Sequence, residues 1–123
     1  VAVLAARRAD DAALDKLDEL VETIGSSLDD FAGYRQADVR LHMGLAESTQ
    51  SPSLVTAMTE IQGAMTGLID LIPHPPEILA ASNQQHIRVL EAIRRHDGTA
   101  AAAAMIDHLH GTEHILAGLL PDC

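Results

Sequence analysis

Apolar residues recur at intervals of three and four along most of this chain, and that spacing constrains the fold more than any other feature. Positions i, i+3, i+4 and i+7 share one face of an α-helix. Leu14, Leu17, Leu20, Val21 and Ile24 follow the rule. So do Leu54, Met58, Ile61, Met65, Leu68 and Ile72, a wholly apolar stripe expected to serve core packing rather than a cofactor. No segment reads as a convincing strand, and no repeat of fixed period appears.

The breaks fall where helix chemistry places them. Residues 1–8 read as the tail of a first helix. Asp10 or Asp11 caps a second that runs to about Ile24 and ends in Gly25-Ser26-Ser27. Asp29 or Asp30 starts a third, reaching about Thr49, and Ser51-Pro52-Ser53 separates it from a fourth over about 53–72. Pro73-His74-Pro75-Pro76 is a rigid linker with an exposed His74. A fifth helix spans about Glu77 to His96, and Asp97-Gly98 ends it with Gly98 suited to a left-handed cap. A sixth runs from about Thr99 to Leu119 and begins in an alanine run that forms a small-residue packing seam. The expected fold is all-α: one antiparallel bundle of about six helices with short connections.

Composition agrees. The 123 residues suffice for one domain with a real core and are too few for two. Aromatics are only 2%, so Leu, Ile, Val, Met and Ala must fill that core, which argues against a β-sandwich. A net charge of −10 leaves no basic stripe for phosphates, so the visible residues do not grip nucleic acid. No apolar run approaches the ~20 residues of a membrane span. The single Cys123 fits a reducing cytoplasm. The opening Val1-Ala2-Val3-Leu4-Ala5-Ala6-Arg7-Arg8 lacks a Met and reads as a helix entered part-way, so a longer parent protein is expected.

Against this apolar background a few polar residues face inward. At about 100° per residue, His108 and His86 each fall in the middle of a buried stripe. Asp38 and His42, four residues apart, share the inward face of the third helix with Phe31 and Leu45. His110 and His114 point away, and His96 lies near a helix C-terminus where a cation favours the dipole. An inward carboxylate needs a partner. Asp38 could pair with one histidine or with Arg35. Alternatively, Asp38, His42, His86 and His108 form one site, since three imidazoles and a carboxylate suit Zn²⁺ or a similar divalent ion.

Several segments carry a resemblance. They are Asp38 to Leu45, the break Gln50-Ser51-Pro52-Ser53-Leu54, the stretch His86 to Ile93 followed by Asp97, and Met105-Ile106-Asp107-His108-Leu109. Together they resemble the FCD domain, the C-terminal effector-binding half of FadR-like regulators in the GntR family of bacterial transcription factors. Leu4-Ala5-Ala6-Arg7-Arg8 is similar to the end of that domain's first helix. The resemblance covers nearly the whole chain, residues 1–123, as a single domain with its first helix truncated. It implies a bundle around a central metal and ligand cavity, with Asp38, His42, His86 and His108 as the metal ligands; that donor set suits Zn²⁺ first, with Ni²⁺ or Mn²⁺ as alternatives. It also implies a homodimer, and operator DNA bound only through an N-terminal winged helix-turn-helix that this chain lacks. Ser51 departs from the Asn often found there, and the shortened first helix leaves the pocket open on one side.

Two function classes follow. The first is a sensor whose metal holds a small organic acid, with Arg35 as a carboxylate clamp and Asn83 and Thr112 as hydrogen-bonding groups for a hydroxyl. The second is a metal-dependent hydrolase, which needs an inward general base. Glu47, Glu60 and Glu91 all fall off the buried faces, which favours the sensor. A structural metal that only pins the bundle is a third reading.

Overall fold

A computed structural model describes residues 1–69 and 75–117, with side chains through residue 113. Six helices make up the described chain: α1 (Ala2–Arg8), α2 (Asp11–Gly25), α3 (Phe31–Ser48), α4 (Pro52–Ile69), α5 (Pro76–Arg94) and α6 (Gly98–Ala117). Asp10 caps α2 by accepting from the Ala13 N–H (2.8 Å), and Asp30 caps α3 by accepting from the Gly33 N–H (3.2 Å). Pro76 opens α5, where a missing N–H costs nothing. The linker around His74 lies outside the described residues.

The left-handed cap after α5 is not at Gly98. His96 takes that conformation (φ 57°), with its own N–H on the Ile93 carbonyl and the Asp97 N–H on that of Ala92. This closes a Schellman motif two residues earlier than expected. Gly98 instead begins α6, close to Val3 of α1, and Asp97 caps α6 by accepting from the Ala100 N–H (3.0 Å). After α3 the left-handed residue is Gln50 (φ 58°), and Ser51 Oγ accepts from the Leu54 N–H (3.4 Å). Serine at this break therefore leaves the turn intact.

The short connections make α2 with α3, and α5 with α6, into antiparallel hairpins; α2 also packs on α5, and α1 lies across α3, α5 and α6. Leu14, Leu17 and Ile24 of α2, Leu41 and Leu45 of α3, and Val89 and Ile93 of α5 fill the core. Helices α2 and α3 approach so closely that a Cβ at Gly44 would sit 2.8 Å from Leu17 Cδ2. The alanine seam of α6 packs as expected, with Ala101 fully buried and Ala100 and Ala104 against the core.

Helix α4 differs from expectation. It packs chiefly on α3, and its apolar stripe is not core. Ile61 and Leu68 are half exposed, whereas Gln62 and Ile69, each one position on, are buried. The inward face keeps Met58 and Met65 but is turned towards Gln62 and Ile69, because buried Arg35 of α3 takes Gln62 Oε1 as an acceptor (3.1 Å). Positions 70–72 of the expected stripe lie outside the described residues. Truncating Ile93, which is fully buried, should cost about 2–5 kcal/mol in urea unfolding, and Ile61→Ala within about 0.5 kcal/mol of zero. Comparable losses at both positions would contradict this assignment of core and wall.

Candidate metal centre

Helix α3 does not pack broadly against α5 or α6, and four side chains meet in the gap. Asp38 and His42, one turn apart on α3, face His86 from α5 and His108 from α6. His42 Nε2 lies 3.3 Å and His86 Nε2 3.2 Å from Asp38 Oδ1, and His86 Nε2 lies 3.1 Å from His108 Nε2. The His42 and His108 rings stack at 5.3 Å, with His86 edge-on to both. The ligating nitrogens of the three histidines all lie within 4.8 Å of one another. All three histidines are buried, and the Asp38 side chain is only 15% exposed.

Burial opposes ionisation of Asp38, yet His42 and His86 beside it hold the carboxyl well below its ordinary value. Burial likewise pushes His86 down, partly offset by Asp38. It pushes His108 down to about 3, helped by the neighbouring His86 and His42. The centre thus holds a carboxylate among imidazoles, two of them kept neutral. Asp38 Oδ2 accepts from Arg35 Nη1 (2.8 Å), but Asp38 Oδ1 is buried with no hydrogen-bond partner. Such an orphan normally marks a missing partner.

A divalent cation fits it. Ligand atoms ~2.0–2.1 Å from one ion lie ~2.9 Å apart at right angles and ~3.3 Å apart at tetrahedral angles. The His42–Asp38, His86–Asp38 and His86–His108 separations of 3.3, 3.2 and 3.1 Å fall within that range. The three histidines could therefore hold a metal ion, with the orphaned carboxylate oxygen beside them.

The centre forms part of the wall of a cavity of about 280 Å³. Met58, Gln62, Met65 and Ile69 of α4 line it together with Arg35 of α3, Thr112 of α6 and, from the α1 end, Val1 and Ala2. A larger surface groove of about 560 Å³ between α2 and α3 carries no such convergence of ligand atoms. Of the residues expected to meet an effector, Arg35 and Thr112 line the cavity. Two nitrogens of Arg35 serve Asp38 and Gln62, while its Nε is buried without a partner. Thr112 donates its hydroxyl hydrogen to the His108 carbonyl (3.3 Å) and keeps its oxygen as an acceptor. Asn83 is spent elsewhere: its Nδ2 donates to the Val21 carbonyl (3.2 Å), and its Oδ1 faces His86 Nδ1 (3.1 Å).

His110 is exposed, as expected, and the side chain of His114 lies outside the described residues. His96, read as a dipole partner, instead holds the Ala6 carbonyl with Nδ1 (2.8 Å) and fastens α1 to the end of α5. Gln62 and Gln85 are contacts that the sequence reading missed. Gln62 carried a signal in its spacing from Met58 and Met65. Gln85 carried none, because it reaches His108 on a different helix (2.8 Å).

The family model for the FCD domain matches residues 1–111. The chain belongs to the FCD domain family. Its relatives include the HTH-type transcriptional repressor NanR of Escherichia coli (strain K12), 34% identical over 110 residues, covering 86% of this chain and 41% of that protein. NanR of Citrobacter rodentium (strain ICC168) is 33% identical over 108 residues, covering 86% of this chain and 42% of that protein. This FCD chain therefore spans about two fifths of the curated relatives it matches.

Between pH 6.5 and about 3, the unfolded FCD chain takes up a proton at His108 that the folded, metal-free chain refuses. Stability should therefore fall as acid is added through that window, by roughly 1.4 kcal/mol per pH unit for one proton. Asp38 acts in the same sense below its ordinary value. Urea unfolding between about pH 7 and pH 4.5 should show a shallower slope for His108→Gln than for the unaltered chain. An equal slope in the two would contradict a neutral, buried His108.

Proposed function

We propose that this chain is the effector-sensing domain of a GntR-family transcription regulator, holding one divalent cation on Asp38, His42, His86 and His108 and a small organic acid in the adjoining cavity. The observation that carries the reading is the orphaned, ionised Asp38 oxygen among three converging imidazoles at a cavity wall. Zn²⁺ suits this donor set best, with Ni²⁺ and Mn²⁺ as alternatives. When bound, the ion supplies positive charge and an open position for an effector oxygen. Arg35 already offsets the charge of Asp38, so a divalent ion leaves the centre net positive and matched to an anion. Arg35 and Thr112 line that cavity, and the Thr112 oxygen, its hydrogen spent on the His108 carbonyl, accepts from a hydroxyl of the effector.

The whole protein follows from the same reading. Residues 1–123 act as one sensing domain. The relatives are named as HTH-type repressors, so a DNA-reading domain is expected outside the matched part. This domain, with 18 acidic against 8 basic residues, leaves operator DNA to that part. The parent protein works as a homodimer on a two-fold operator, in the cytoplasm. No helix among the described residues is long and apolar enough to cross a membrane.

A hydrolase on the same metal finds no support. Glu47, Glu60 and Glu91 are exposed, and the relatives are named as repressors rather than enzymes. Calorimetry with a panel of small carboxylates on Zn²⁺-loaded chain should find one that binds and is lost when the metal is stripped. Thr112→Val should weaken it about 3- to 10-fold, the worth of one hydrogen bond. Tight binding that survives metal removal, or a preference for uncharged ligands, would overturn the reading.

A further inference from the structure

Metal ligands work only if their lone pairs face the ion, and a neutral imidazole carries its single proton on one of two nitrogens. Which one is set by the hydrogen bond at the other nitrogen. In this chain each of the two facing rings meets an amide oxygen at Nδ1. His86 Nδ1 faces Asn83 Oδ1 at 3.1 Å, and His108 Nδ1 faces Gln85 Oε1 at 2.8 Å. The Asn83 amide cannot turn round without loss, because its Nδ2 already donates to the Val21 carbonyl of α2 (3.2 Å). Gly111 of α6 leaves room for the Gln85 amide, since a Cβ there would come within 3.2 Å of Gln85 Nε2. An amide oxygen only accepts, so each Nδ1 carries the proton and donates it. Each Nε2 is then bare, and the two bare nitrogens lie 3.1 Å apart beside Asp38 Oδ1.

We infer that Gln85 and Asn83 are positioning residues that fix the tautomers of His108 and His86 and so aim both Nε2 lone pairs at the centre before any ion arrives. The inference rests on the metal reading above, and it adds two residues that touch no ligand. Asn83 also ties the orientation of His86 to α2, and Gln85 ties that of His108 to its own neighbour on α5. The metal-free centre is therefore a cluster of acceptors held together by groups behind it.

Gln85 gives the cleaner test, being only partly buried. Histidine ¹⁵N–¹H correlation spectra of the metal-free chain should show His86 and His108 protonated on Nδ1. In Gln85→Leu, His108 should shift towards the Nε2–H form, and Zn²⁺ affinity by chelator competition should drop about 10- to 100-fold. Gln85→Glu presents a carboxylate oxygen in the same place and should keep both the tautomer and the affinity. An Nε2–H tautomer on His108 in the unaltered chain would overturn the inference, since it means that the Gln85 amide is turned round and the two Nε2 atoms share a proton. So would undiminished affinity in Gln85→Leu. If the unaltered chain takes up no Zn²⁺ at all, the metal reading fails, and the spectra still decide the tautomers on their own.

Discussion

The structure depends on one buried polar cluster shared by three helices. A buried, ionised carboxylate oxygen and two imidazole nitrogens from three helices meet at 3.1–3.2 Å. In a low-dielectric interior such a cluster is costly unless positive charge balances it. Arg35 balances the far side of Asp38 and leaves the near side open. Because α3 does not pack broadly on α5 and α6, a cation bound at this point would add a joint between them beside those made by α1 and by α2 on α5. A ligand that binds only the folded form raises stability by RT ln(1 + [L]/Kd), ~2.7 kcal/mol at a hundredfold excess over Kd. A cation here would act as a cross-link as well as a lure for an anion.

Around that centre the chain divides its labour. The α2–α3 and α5–α6 hairpins make a conventional aliphatic core, where Leu17, Leu41 and Ile93 exclude water almost completely. Helix α4 does something else. It leans on α3 through the Arg35–Gln62 bond and presents Met58, Met65 and Ile69 to the cavity. Methionines are unbranched and adapt their shape. A wall made of them, held by one buried polar bond, is suited to closing on ligands of somewhat different outline. The same Arg35 serves Asp38 and Gln62, so the charge of the centre and the seat of α4 share a residue.

Much of this was legible in the sequence because helices obey a local rule. The period of three and four placed all six helices near their observed bounds, and it turned Asp38, His42, His86 and His108 inward without any structure. What escaped was whatever passes between helices. One side of the α4 stripe was misplaced because Ile61 and Leu68 are as apolar as their neighbours, and only Arg35, on another helix, requires Gln62 to face in. Gln85 was invisible for the same reason. Asn83 was placed on the correct face, but its partners, Val21 and His86, were not readable from its own helix. His96 shows the limit for turns: the chain could have bent at Gly98, and it bends two residues earlier, where a side chain fastens Ala6.

X-ray absorption at the Zn K-edge of the loaded chain tests the central claim most directly. One ion per chain with imidazole nitrogens at ~2.0–2.1 Å and an oxygen donor is the expected result, with the imidazole signal reduced in His86→Ala and His108→Ala and unchanged in His110→Ala. No retained ion, or an ion whose shell lacks imidazole, would contradict it.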